Sequence, residues 1–181
     1  VNLIEEAGCS NRMHAEGFVH NGTLVSYDKE IFRINFSKHT NADVMLYGQN
    51  EITRDLYEAR EKTGGKIEFN VENVSVQDVK SATPFVEYTI AGTRHRINCD
   101  YVAGCDGFHG VSRRTIPRKN RREYEKIYPF GWLGILSETP PVNHELIYTN
   151  SAHGFALCSM RNANLSRFYI QCSLNDHPDN W

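Results

Sequence analysis

The sequence predicts an α+β fold, with helices flanking β-structure early and an antiparallel sheet late. Three observations predict it. Helical spacing is confined to residues 1–7 and 50–63. Most of the rest alternates with period two. Glycine, proline and asparagine punctuate the runs where strands must turn.

The elements follow in order. Leu3-Ile4-Glu5-Glu6-Ala7 reads as the last turns of an amphipathic helix, stopped by Gly8. A start inside a helix suggests a piece of a longer polypeptide. Residues 18–36 alternate, and Asn21-Gly22 between the runs predicts a hairpin turn. Asp43 to Tyr47 is a short apolar strand. Asn50 to Thr63 is a helix capped by Asn50 and ended by Gly64-Gly65. Its inner face carries Ile52, Leu56, Ala59 and Arg60, and its outer face carries Glu51, Arg54, Asp55 and Glu58. Lys66 to Val79, Phe85 to Ile90 and Thr93 to Asn98 predict three antiparallel strands. Tyr101 to Gly104 reads as a buried strand running into a glycine-rich turn. After a basic stretch, strands are expected at Gly131–Leu136, His144–Thr149, Gly154–Ser159 and Arg167–Cys172.

Composition narrows the class. The 181 residues are 40% hydrophobic and 23% charged, as in ordinary globular protein, and the net charge of −2 argues against a nucleic-acid groove or a membrane surface. The basic run Arg113, Arg114, Arg118, Lys119, Arg121, Arg122 reads either as a solvated loop or as a dock for an anionic cofactor. Five cysteines without a Cys-x-x-Cys spacing argue against a disulfide framework or a zinc ribbon. They suggest reduced, mostly buried thiols in a cytoplasmic protein. The eight histidines lack ligand-like spacing, so no metal is expected.

Two regions carry the chemistry. In Tyr101-Val102-Ala103-Gly104-Cys105-Asp106-Gly107-Phe108-His109-Gly110-Val111-Ser112-Arg113, three glycines spaced by three let backbone N–H groups approach a polar ligand. Asp106 can accept from a sugar hydroxyl or hold an arginine, and Arg113 can carry charge to a phosphate. Taken alone, the same string is equally a structural turn. In the second region Ser159 and Arg161 are two apart on one strand and share a face. With Tyr169 from a neighbouring strand they offer three donors to a carboxylate, against an apolar wall of Trp132, Leu146 and Leu157. Each residue by itself has an ordinary structural reading.

Together these strings resemble the flavoprotein aromatic hydroxylases, and among them the hydroxylases of hydroxybenzoates. The resemblance rests on Gly104-Cys105-Asp106-Gly107, on Tyr47-Gly48-Gln49, and on the stretch from Tyr128 to Tyr169. It implies an incomplete α/β flavoprotein monooxygenase fold, with residues 1–122 as part of the FAD-binding domain and 123–181 as part of an antiparallel-sheet substrate domain. It implies hydroxylation of 4-hydroxybenzoate to 3,4-dihydroxybenzoate with FAD, O₂ and NADPH or NADH, in a homodimer. By the same resemblance Gln49, Asp106 and Gly107 serve the flavin, and Phe108, His109 and Arg113 lie toward the nicotinamide cofactor. Ser159, Arg161 and Tyr169 hold the carboxylate, Tyr148 bonds the 4-hydroxyl, and His20 ends a proton relay.

Other phenolic acids, such as 3-hydroxybenzoate or salicylate, remain open, as does a non-catalytic binding domain. The family's Gly-x-Gly-x-x-Gly loop, its Gly-Asp-Ala-Ala-His segment and the relay's second tyrosine are absent from these residues. This piece alone is therefore expected to bind FAD poorly and not to turn over.

Overall fold

A computed structural model describes all 181 residues. In chain order its elements are α1 (Asn2–Glu6), α2 (Asn11–Glu16), β1 (Phe18–His20), β2 (Gly22–Tyr27), β3 (Glu30–Asn35), α3 (Phe36–Thr40), β4 (Val44–Leu46) and α4 (Gln49–Lys62). They continue with β5 (Glu72–Gln77), β6 (Phe85–Ile90), β7 (Thr93–Asn98), α5 (Val111–Thr115), β8 (Gly131–Ser137), β9 (Ile147–Ser151), β10 (Gly154–Asn162) and β11 (Leu165–Cys172). The mix of helix and sheet is the expected α+β class.

The chain divides into two compact units, Val1–Gly65 with Ile127–Trp181, and Lys66–Lys126. The first unit is thus built from two separate stretches of the chain. The reason is a pairing across the chain: β2 runs parallel to β9, with Val25 opposite Tyr148, so the early hairpin joins the late sheet.

In the first unit six strands form one sheet in the order β3-β2-β9-β10-β11-β8. The four late strands lie where their alternation placed them. The early hairpin does not turn at Asn21-Gly22. β1 pairs instead with β4, Phe18 opposite Leu46. The tight turn is Asp28-Lys29, with φ of 49° and 77°, and it joins β2 to β3. Two successive positive φ values give the twist that suits a two-residue hairpin, and aspartate tolerates them well.

α4 begins at Gln49 with Gly48 as its N-cap, one residue earlier than expected. Its inner face also differs. Asp55 is the buried position, whereas Leu56 is exposed. Arg12 of α2 explains this. Its guanidinium meets Asp55 at 2.6 Å and also pairs with Glu51, and the Tyr47 hydroxyl donates to Asp55 at 2.9 Å. A partnered carboxylate can face inward where an unpartnered one would not. Burial and the Asp55 carboxylate push the Tyr47 phenol up to about 12.

In the second unit β5, β6 and β7 form an antiparallel sheet, in that order. β5 is shorter than the expected Lys66–Val79 run. Tyr101–Gly104 is not a strand and is exposed, Tyr101 at 92%. The cysteines are free, as expected, but none is buried and Cys105 is exposed.

Candidate active site

One face of the large sheet gathers most of the predicted substrate residues. Leu157 of β10 stands opposite Tyr148 of β9 on one side and Tyr169 of β11 on the other. Directly opposite residues share a face, so the two tyrosines flank Leu157 about 10 Å apart, two strand spacings. Ser159 is two residues further along β10, opposite Arg167. Toward the other end the face is aromatic. The Phe155 ring lies 5.6 Å from Trp132 and 6.3 Å from Tyr148.

Arg161 is the extra residue of a bulge between Met160 and Asn162. Bulges re-aim side chains, and this one sends the guanidinium to Gly48, at the start of α4. An open cleft of about 300 Å³ lies there, lined by Tyr47, Gly48, Glu51 and Arg161 among others. Arg161 lies four residues along β10 from the Tyr148 pairing position, a rise of about 13 Å. The backbone positions of the two residues are thus farther apart than one benzene ring is long. The hydroxyls of Tyr148 and Tyr169 and the guanidinium of Arg161 have no hydrogen-bond partner within the chain, whereas Ser159 Oγ donates to the Arg167 carbonyl at 3.3 Å.

His20 ends β1. It is 5% exposed, and its Nε2 has no partner. Its ring lies 5.0 Å from that of His144. Burial, and then the neighbouring His144, hold the His20 imidazolium below its ordinary range, so the ring stays neutral near pH 7. Next to His144, Glu145 pairs with Arg33 at 2.6 Å, which draws its carboxyl below the usual value. Gln49 is exposed in the first turn of α4. The N-cap there is a glycine that supplies no side-chain bond. The leading N–H groups are therefore left to water or a ligand.

The glycine-rich turn belongs to the other unit, and its polar groups are engaged. Asp106 Oδ2 accepts from the Ser112 N–H at 2.9 Å, and that bond draws its carboxyl below the usual range. Gly107 has φ of +68°, and a side chain at Gly110 would run into Asp106. The glycine spacing is thus explained by the turn itself. Arg113 pairs with Glu123 at 3.3 Å and stacks over Phe108 at 4.1 Å, and the Phe108 and His109 rings meet edge to face. Arg121 shares Glu123, so part of the basic run is internally neutralised.

Two site neighbours were not singled out in the sequence. Arg167 lies 4.9 Å over the Tyr169 ring, and its buried Nε lacks a partner. Its two-residue spacing from Tyr169 on an alternating strand was the available signal. His144 meets His20 only through the fold, and no local pattern announces that.

A two-unit α+β chain, with an aromatic sheet face and an uncapped helix start beside an arginine, fits a flavoprotein. The comparisons agree. The FAD-binding-domain family model ("FAD binding domain") matches residues 1–181, and the chain belongs to that family. It is 44% identical over its whole length to p-hydroxybenzoate hydroxylase of Acinetobacter baylyi (strain ATCC 33305 / BD413 / ADP1), and spans 45% of that relative's length. Among solved structures, p-nitrophenol 4-monooxygenase PnpA from Pseudomonas putida DLL-E4 superposes with a TM-score of 0.76 at 13% identity, over 99% of this chain and 47% of that one. The flavin-dependent halogenase CmlS gives 0.69 at 13% identity, over 94% and 32%. At such identities these structures show the shared fold.

The residues present fit part of an FAD. The free N–H groups of the first α4 turn and the exposed Gln49 amide suit the polar edge of a flavin. Asp106 and Arg113, as engaged here, offer it less.

Proposed function

We propose that the intact protein hydroxylates 4-hydroxybenzoate to 3,4-dihydroxybenzoate, consuming O₂ and NADPH or NADH and releasing water. FAD, when bound, supplies the redox chemistry with oxygen. This chain supplies orientation and proton handling. The observation that carries the reading is a pair of unpartnered groups on adjacent strands, Tyr148 of β9 and Arg161 at the β10 bulge, supported by the identity to a p-hydroxybenzoate hydroxylase.

In this reading the Arg161 fork binds the carboxylate, and the Ser159 and Tyr169 hydroxyls complete its donors. Leu157 and Phe155 cover the ring and exclude water. At the other end Tyr148 Oη accepts from the phenol and, as that proton leaves, its own O–H donates to the phenolate, which favours ionisation and makes the ring carbon beside it more nucleophilic. Neutral His20, buried with a free Nε2, can accept the departing proton. Gln49 and the α4 N–H groups hold the flavin, while Phe108, His109 and Arg113 face the nicotinamide cofactor. The same reading takes the intact protein as a homodimer, with residues 123–181 in its substrate domain.

The test is turnover by the intact protein. With 4-hydroxybenzoate, NADPH or NADH oxidation should accelerate and chromatography should show 3,4-dihydroxybenzoate. A product formed only from 3-hydroxybenzoate or salicylate would reassign the substrate, and no stimulation by any phenolic acid would overturn the activity.

A further inference from the structure

Gly48 and Gly134, both beside proposed substrate residues, stand where the backbone does not call for a glycine. Gly48 has φ of −63° and ψ of 133°, a region open to any residue. Gly134 lies mid-strand in β8, outside the left-handed region, where glycine weakens a sheet.

Space accounts for both. A Cβ at Gly134 would sit 3.1 Å from Tyr169 Cε1 and 3.5 Å from its Cδ1. A Cβ at Gly48 would sit 3.2 Å from Arg161 Nη2 and 3.4 Å from Glu51 Cγ. Carbon packs at about 3.5–4.0 Å, so each neighbour would have to retreat by a few tenths of an ångström. Gly131, on the same strand, provides the contrast. Its Cβ would meet Cys172 Sγ at 3.6 Å, an ordinary contact. Gly134, on a strand, and Gly48, at a helix start, therefore face two of the three proposed carboxylate holders from unrelated parts of the chain.

We propose that Gly48 and Gly134 are positioning residues that set the carboxylate end of the pocket. Their missing side chains leave the Arg161 guanidinium and the Tyr169 ring the positions they occupy, which in the reading above hold one carboxylate. The proposal rests on the reading of Arg161 and Tyr169 given above. It makes the two glycines determinants of selectivity for a para-carboxylate, since they act only through groups at that end.

The experiment measures binding to the intact protein for 4-hydroxybenzoate and for 4-hydroxybenzyl alcohol, which lacks the carboxylate. Gly134→Ala and Gly48→Ala should each weaken 4-hydroxybenzoate by about tenfold, as expected for a small misplacement of a binding group. Binding of the alcohol should change less than twofold, and Gly131→Ala should alter neither ligand. Equal weakening of both ligands, or of neither, overturns the proposal. A Tyr169→Leu background guards against a general folding defect. With no ring to displace, Gly134→Ala should there cost less than twofold, and a further tenfold loss also overturns it. Wild-type protein that binds no benzoate overturns the pocket reading itself, whereas wild-type binding with unaffected variants overturns only the role of the glycines.

Discussion

The sheet face of the first unit and the glycine-rich turn of the second both looked like ligand sites in sequence, yet they differ in one physical respect. On the sheet face, Arg161, Tyr148 and Tyr169 end in polar groups without partners in the chain, and Arg167 Nε and His20 Nε2 are buried and unpaired. In the turn, Asp106 is held by the Ser112 N–H and Arg113 by Glu123 and Phe108. An unpaired polar group near the surface can exchange water for a ligand at little cost. A paired one must first break its bond. The sheet face is thus prepared for a small molecule, while the turn chiefly maintains its own shape.

Substitutions can break or sharpen this contrast. The largest effect is expected from Arg161→Ala. Losing a charge-assisted fork removes about 3 kcal/mol, roughly a hundredfold in Kd for 4-hydroxybenzoate. Titration of the intact protein should show this without a matching loss of thermal stability, because Arg161 bonds to nothing in the chain. Tyr148→Phe should come next, lowering kcat by about a hundredfold while Kd changes little. A pH–rate profile should lose the limb that reports phenol ionisation.

Asp55→Ala tests the opposite behaviour, that of an engaged group. It removes the acceptor of the Tyr47 hydroxyl and one of the three carboxylates around Arg12, which keeps Glu16 and Glu51, and should cost about 2 kcal/mol in a urea melt. If ligand binding fell more than stability, the structural assignment of that cluster would fail.

The smallest effect concerns pH. The pKa of His20 is lower in the folded protein than the ordinary 6.5, so below that pH the unfolded chain takes up a proton that the folded one refuses. The stability it contributes is present above pH 6.5 and is lost as pH falls through the folded value. The urea midpoint of wild type should therefore drop more between pH 7.5 and pH 5.5 than that of His20→Gln. Equal drops would show that the His20 environment does not perturb it.

Much of the late sheet was legible in the sequence, because an alternating strand shows its two faces through period two. The two-residue spacing puts Ser159 and Arg161 on one face; in the fold β10 keeps a regular register with β11 through Leu157 and Ser159 and breaks it at the Arg161 bulge. The early region was less legible. Asn21-Gly22 is a strong local turn signal, yet β1 found a better partner in β4, and Asp28-Lys29 made the hairpin instead. The inner face of α4 was misjudged for a related reason. Asp55 faces inward only because Arg12, 43 residues earlier, is there to meet it.

By itself the sequence determined the fold class, the late strands and the residue types that suit a hydroxylated benzoate, since these depend on spacing along the chain. The tertiary structure decided which of those groups stay unpaired, which glycines make room for a neighbour, and that the buried His20 ring meets the ring of His144. Those outcomes depend on contacts between residues far apart in sequence, which no local period can encode.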